Sequence, residues 1–327
     1  MNQRYQRIKT EDITDKLKTN IWKVEANDLQ ELPQRDMPGN TVRISEGIVC
    51  NTNKLVGEVI RQIKPVILEN PYQRVVVSVS GGSGVGKTSI AYLLSWYFNQ
   101  IGVGSYTLSG DNYPHRIPKY NDAERFRIFR ESGIRRMIES EVYTEEYAQL
   151  IRQWQDMRED ADSLHLKEHP WFQAYLDGGR MGLEGYLGTE REQDFKAVSE
   201  IVTAFKDGAE KIWLKRMGRE ETELWYEQVD FSKIHILIVE WTHGNSEYLQ
   251  GVDIPVLLNS TPEETLKYRK ARKRDAGIDS PFTAMVLEIE QEKIQKQAFR
   301  AKIILSRSGE LISYEEYCKL MKESELR

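Results

Sequence analysis

Three sets of side chains in this sequence could act together on a phosphorylated ligand. A lysine and a threonine close a glycine run, two carboxylates each follow an apolar stretch, and several arginines cluster near the end of a later segment. The glycine run is Gly81-Gly-Ser-Gly-Val-Gly-Lys-Thr88, followed by Ser89, and it fits G-x-x-x-x-G-K-[ST]. Gly81, Gly82, Gly84 and Gly86 can take backbone angles that turn successive N–H groups into an anion-binding nest, with Ser83 and Val85 between them. A helix starting near Lys87 adds its positive end. Lys87 would then reach the β- and γ-phosphates, Thr88 would offer its hydroxyl to Mg²⁺, and Ser89 would be a further phosphate donor. A plain glycine turn between strand and helix is the alternative, and it leaves the lysine and the hydroxyl without a purpose.

The carboxylates are Asp111 and Glu240. Asp111 follows an expected strand at Ser105–Leu108, and Glu240 ends His235-Ile-Leu-Ile-Val-Glu240. In open α/β sheets ligands gather at the carboxyl ends of strands. Asp111 is placed there as a candidate general base and Glu240 as a Mg²⁺-linked acid, although an Asp beside Gly110 also suits an ordinary turn. Arg269, Arg272, Lys273 and Arg274 could form a cationic lid over a transferring phosphoryl group, or simply a basic helix end favoured by the macrodipole. His165 and His169 stand at i, i+4, but no third ligand follows at a useful spacing, so a structural role is the favoured reading.

The elements that must hold these groups follow from the hydrophobic pattern. Val75, Val76, Val77 and Val79 form the short β-branched run of a strand covered on both faces, and Ile90, Leu93, Leu94, Tyr97 and Phe98 recur at helical spacing. Further strands are expected at Ile254–Leu258 and around Ala301–Ser306. The resulting fold class is α/β, a parallel sheet with helices on both faces. An N-terminal helical extension (1–70) precedes the core (71–138 and 231–327), with helices expected at Ile13–Trp22 and Ile48–Ile67. A mainly helical insert, 139–230, interrupts the core as a candidate substrate lid. Within and before it, Asn121-Asp-Ala-Glu124 and Thr189-Glu-Arg-Glu192 fit the capping-box pattern, and Lys211–Met217 with Glu223–Glu227 reads as a hairpin.

Composition bounds the function. The 327 residues carry a formal charge of -5, 30% charged residues and two cysteines, with a mean hydropathy of -0.59. A membrane span, a disulfide framework and a thiolate metal site are not expected, nor is a targeting peptide, and a cytoplasmic setting is the simplest expectation. The insert holds 22 Asp/Glu against 11 Lys/Arg, so the remainder is basic. That balance suits a small polyanionic ligand and gives no reason to expect nucleic acid as a partner. Association with a second copy is left open.

Taken together, Gly81–Ser89, Ser109-Gly-Asp-Asn-Tyr-Pro-His-Arg116, Val239-Glu-Trp-Thr-His-Gly244 and Arg272-Lys-Arg-Asp275 resemble the phosphoribulokinase and uridine kinase family of P-loop kinases, with bacterial pantothenate kinase as a nearby relative. The likeness covers about residues 74–137 and 233–306. It implies ATP and Mg²⁺, Asp111 as base toward an acceptor hydroxyl, Glu240 beside metal and substrate, and Arg274 and Asp275 in a lid. His115 and Arg116 resemble an acceptor-binding pair, with Tyr113 in the same stretch. Pro114 is inserted before His-Arg, Trp241 replaces the usual glycine after the glutamate, and Asp275 lacks the following R-G. The expected activity is phosphoryl transfer from ATP to a hydroxyl of a small metabolite: a sugar phosphate, a nucleoside or a pantothenate-like compound. Lys87, Asp111, Glu240, Arg272 and Arg274 are the catalytic candidates. Adenylylsulfate kinase and a non-catalytic ATP-binding regulator are the alternatives.

Overall fold

A computed structural model describes residues 13, 15–17, 31–33, 36, 41–260, 264 and 280–325. The arginine-rich segment with Arg269, Arg272, Lys273, Arg274 and Asp275 lies outside the described residues, as does most of the helix expected at Ile13–Trp22.

A two-stranded ribbon, β1 (Glu31–Pro33) and β2 (Thr41–Arg43), leads into α1 (Glu46–Glu69), whose first turn is capped by the Ser45 side chain. The sheet then runs through β3 (Val75–Gly81), with α2 (Lys87–Gln100) and β4 (Ser105–Ser109) following. Next come α3 (Pro118–Glu139), α4 (Glu145–Met157), α5 (Phe172–Glu184) and α6 (Phe195–Lys206). The hairpin β5 (Lys211–Met217) and β6 (Leu224–Asp230) precedes β7 (Ile236–Glu240) and β8 (Ile254–Leu258). The described chain closes with α7 (Pro281–Gln297), β9 (Ile303–Leu305), β10 (Leu311–Ile312) and α8 (Tyr314–Glu325).

The six-stranded sheet has the order β10-β9-β8-β3-β7-β4, parallel throughout except for β10 at the edge. β3 is therefore central and fully buried, which is why its sequence is a nearly unbroken valine run rather than an alternation. Its two faces serve different cores. Val75, Val77 and Val79 pack with Ile236 and Ile238 against α1 and α2, while Val76 joins Leu237, Val239 and the Phe195–Phe205 face of α6. At about 25 cal/mol per Å², these buried branched side chains supply the main driving force for closing helices over both faces.

The span 139–230 contributes to two cores. α4 and α5 pack with α3 and α7 through Ile151, Trp154, Phe172, Tyr175 and Phe282. α6 and β5 instead belong to the sheet's own second core. The expected hairpin is present: the Lys211–Met217 strand pairs with β6 from Lys211↔Asp230 to Met217↔Leu224.

Both capping-box assignments are corrected. α3 begins at Pro118 rather than at Asn121, since proline at the first helical position is preorganised there and needs no N–H partner. α6 is capped by Asp194, whose side chain accepts from the Ala197 N–H, and not by Thr189. Asn121 and Glu192, the residues that mimicked caps, are instead bonded to each other, Asn121 Nδ2 donating to Glu192 Oε1 at 3.0 Å.

Candidate active site

The carboxyl end of β3 turns directly into α2, and the turn works only with glycine. Gly81 has φ +143° and a Cβ there would stand 2.5 Å from the Leu258 carbonyl oxygen; Gly86 has φ +102°. Lys87 is buried, its ammonium donating to the Gly82 carbonyl at 3.1 Å across the mouth of the loop. Thr88 donates its hydroxyl to Glu240 Oε1 at 3.0 Å. Glu240 is 2% exposed and lies in register with Val79 of β3 on one side and Ser109 of β4 on the other, where the Ser109 hydroxyl reaches Oε2 at 3.5 Å. Thus the sheet's register, set by long-range pairing, brings Glu240 to the phosphate loop. Ser89 faces elsewhere: its hydroxyl donates to the Arg43 carbonyl at 3.2 Å. Ser83, Gly84 and Val85 form the remaining arc of the loop, with Gly84 at φ +83°.

An all-oxygen pair of one hydroxyl and one carboxylate suits Mg²⁺, which takes few protein ligands and completes its shell from water and substrate phosphates. Among the described residues no group of three His, Cys, Asp or Glu could hold a metal. His165 and His169 instead pack their rings against Trp154, at 3.9 and 5.3 Å between centroids.

Asp111 sits exposed in a one-turn 3₁₀ segment, Gly110–Asn112, at the end of β4. That turn is built by residues which the sequence reading missed. The carboxylate of Asp36 is fully buried there, accepting from the Ser109 N–H at 2.7 Å, Tyr106 hydroxyl at 2.6 Å and Asn112 Nδ2 at 3.1 Å, and pairing with Arg216 at 2.7 Å. Burial pushes the Asp36 carboxyl up, with Arg216 and the three donors working against it. On the opposite side Trp241, 1% exposed, lies flat against Gly110, and a Cβ there would fall 2.0 Å from its Cγ. The tryptophan that replaces a glycine of the resembled motif is matched by the absence of a side chain across from it.

The Tyr113–Arg116 stretch meets residues 192–194 through a single isolated bridge. His115 N–H donates to the Glu192 carbonyl, Asp194 N–H donates to the Tyr113 carbonyl, and Pro114 bridges to Gln193. Tyr113 is buried, and burial raises its phenol. His115 is exposed, its Nε2 2.9 Å from the Glu190 carbonyl, and Arg116 reaches the Tyr186 hydroxyl at 3.3 Å.

Behind this stretch lies a charged cluster that the sequence did not reveal. Arg125 of α3 pairs with Glu192 at 2.7 Å and with Glu290 of α7 at 3.6 Å. Burial works to raise Glu192, but Arg125, His243 and the Gly188 N–H hold it below the usual carboxylate range. Burial lowers His243 to about 4, with Arg125, Lys87 and Lys293 reinforcing and Glu192 opposing. Burial raises Glu290; Asp111 and Glu192 act in the same direction, and Arg125 and Lys87 against it. Glu290 therefore lies within electrostatic reach of both Lys87 and Asp111. Gln291, its neighbour, stands against the phosphate loop, 3.3 Å from where a Gly82 Cβ would be. The signal available in sequence was an E-I-E-Q-E-K run, which reads as any solvated helix.

A central parallel strand, a glycine nest with lysine and threonine at its exit, and an acidic residue on the neighbouring strand define the P-loop class of nucleotide-binding α/β folds. No family model matches the chain. It is 41% identical over 240 residues to the bifunctional alpha-galactosidase/sucrose kinase AgaSK of Mediterraneibacter gnavus, a match covering 73% of this chain and 21% of that protein. The chain thus spans about a fifth of the length of the relative it matches. Among solved structures the chain is similar to one from Silicibacter sp. TM1040 described as a fructose transport system kinase (14% identity, TM-score 0.44, 74% of this chain and 93% of that one). A possible uridine kinase from Bacillus stearothermophilus is also similar (15%, 0.38, 76% and 98%), as is the YGR205w protein (9%, 0.43, 80% and 96%). Among the described residues, no helix is long and apolar enough to cross a membrane.

Proposed function

We propose that this chain is an ATP- and Mg²⁺-dependent kinase that phosphorylates a hydroxyl of a small sugar of the sucrose type. The observation that carries the reading is the Thr88–Glu240 pair, 3.0 Å apart beside Lys87, with Asp111 at the end of the next strand. Donor phosphates and acceptor hydroxyl would then meet at the ends of β3, β4 and β7. Of the two activities in the relative's name, only phosphoryl transfer uses a phosphate loop, and this supports the sugar-kinase half.

In this reading the loop amides and Lys87 hold the β- and γ-phosphates, and Asp111 accepts the proton of the acceptor hydroxyl as its oxygen attacks phosphorus and ADP leaves. Mg²⁺ held by Thr88 and Glu240 would neutralise charge on the phosphate oxygens. Arg272 or Arg274 is proposed to stabilise the transferring group and Asp275 to sit with them. His115 and Arg116 are proposed to bind the acceptor.

The test is ATP-dependent phosphorylation across a panel of sucrose, other disaccharides, hexoses, nucleosides and pantothenate. Sucrose-type acceptors should be turned over, Lys87→Ala should lower kcat by about 10²- to 10³-fold, and Asp111→Asn should abolish acceptor phosphorylation while leaving ATP bound. Wild-type turnover confined to non-sugar acceptors would overturn the acceptor assignment. Undiminished turnover in Asp111→Asn would overturn the base.

A further inference from the structure

The β5–β6 hairpin carries an aromatic face that the described residues leave exposed. Cross-strand register places Trp213, Lys215 and Met217 of β5 on one face with Gln228, Tyr226 and Leu224 of β6. Met217 is buried, but Trp213 is 59% and Tyr226 60% exposed, as diagonal neighbours on that face. Large exposed rings placed side by side cost solubility and mark contact surfaces.

The position of this face gives it a purpose. At its buried end the Met217 N–H donates to Asn112 Oδ1 at 3.0 Å, one residue beyond Asp111. In its middle the Lys215 ammonium donates to the Pro114 carbonyl at 3.0 Å, so the face turns toward the Tyr113–Arg116 stretch. Tyr226 lies within electrostatic reach of the Tyr113 phenol. At the hairpin's turn Glu221 accepts from the Tyr120 hydroxyl of α3, closing the far side. The exposed rings thus form a wall running outward from the strand end that bears Asp111.

We propose that the Trp213–Tyr226 face is the subsite for the non-reacting ring of a di- or oligosaccharide acceptor. A sugar ring has an apolar C–H face and a rim of hydroxyls. Flat aromatic side chains suit the first, and the Tyr226 hydroxyl and Gln228 amide on the same face suit the second. The phosphorylated ring would lie toward Asp111 and the second ring would stack on the hairpin. This inference rests on the sugar-kinase reading for the reaction, but not for the binding.

Two measurements keep them apart. Wild type, Trp213→Ala, Tyr226→Ala and a remote control, Phe299→Ala, are titrated calorimetrically with sucrose in the absence of ATP, and acceptor kinetics are run with sucrose and with fructose. Each hairpin variant should weaken sucrose binding and raise its KM about tenfold, the size of one lost ring contact. The KM for fructose and the KM for ATP should stay, and the control should match wild type. Unchanged sucrose affinity in both variants overturns the proposal even if wild type phosphorylates sucrose. Sucrose binding lost in the variants, with no sugar phosphorylated by wild type, upholds the subsite and overturns the kinase reading instead. Unaltered sucrose binding combined with a fall in particle mass by light scattering would assign the face to a protein contact, and overturns the subsite.

Discussion

The contact between Gly110 and Trp241 can be tested by a double-mutant cycle. Gly110 is not in the left-handed region, so alanine suits its backbone; what alanine meets is the indole, with Cγ at 2.0 Å and the next two ring atoms at 2.3 and 2.4 Å. Ordinary contact begins at 3.4 Å, so the ring must retreat by more than 1 Å, yet it is wedged against Phe195 and His243 at centroid distances of 4.8 and 5.6 Å. Overpacking of this kind costs about 3 kcal/mol at the upper end of the usual range. Trp241→Ala alone should cost about 3 to 5 kcal/mol through the cavity it leaves. If the ring is the reason for the glycine, the double variant should cost no more than Trp241→Ala alone. The coupling energy is then about 2 to 3 kcal/mol in the compensating direction. Urea unfolding of the four proteins measures it. Simple additivity would show that the glycine is needed for some other reason, and the account of this turn would be wrong.

Other expectations follow from the same geometry. Asp36→Ala leaves the Arg216 guanidinium, itself 1% exposed, with the half-exposed Glu227 at 3.2 Å as its one carboxylate and the neutral Tyr106 hydroxyl and Lys215 carbonyl as further acceptors; stability should fall by about 3 kcal/mol, read by thermal unfolding, whereas Asp36→Ala combined with Arg216→Met should recover most of it. His243 is held neutral, its pKa lowered from 6.5 to about 4. The unfolded chain therefore binds this proton first, and stability should drop as pH falls from 6.5 toward 4, by about 3 kcal/mol in total. Glu192, lowered, adds a loss only below its ordinary 4.5, while the raised Glu290 has the opposite sign, gaining as pH falls toward 4.5. His243→Gln should flatten the curve between pH 6.5 and 4.5 in denaturant titrations. A slope unchanged by that substitution would remove His243 as its source.

The parts of this fold that were legible in the sequence are those whose signal is local. Val75–Thr88 carries strand, turn and helix start in one uninterrupted run, and the apolar run ending at Glu240 announces both a buried strand and the group it delivers. The illegible parts depend on partners far along the chain. Asp36 lies about 70 residues before Tyr106 and 180 before Arg216, and nothing near it marks a buried carboxylate. Glu192 misled because T-x-x-E looks the same whether the glutamate caps its own helix or is taken by an arginine of another. Trp241 was noticed only as a departure; its meaning lay in Gly110, whose conformation gives no hint that a side chain is excluded.

Arg74 stands at the start of β3, nearly enclosed, and donates to three carbonyls: Phe205 at 2.6 Å, Ala209 at 2.8 Å and Phe231 at 2.9 Å. At the far end of the same segment, Met217 and Lys215 are tied to Asn112 and Pro114. Pulling the segment away would leave a buried guanidinium and three carbonyls unanswered, a penalty of several kcal/mol. The stretch from Phe195 to Phe231 is therefore moored to the central strand at one end and to the turn that bears Asp111 at the other, while α3, α4 and α5 share a separate core with α7 and are joined to this stretch by the Tyr120–Glu221 contact.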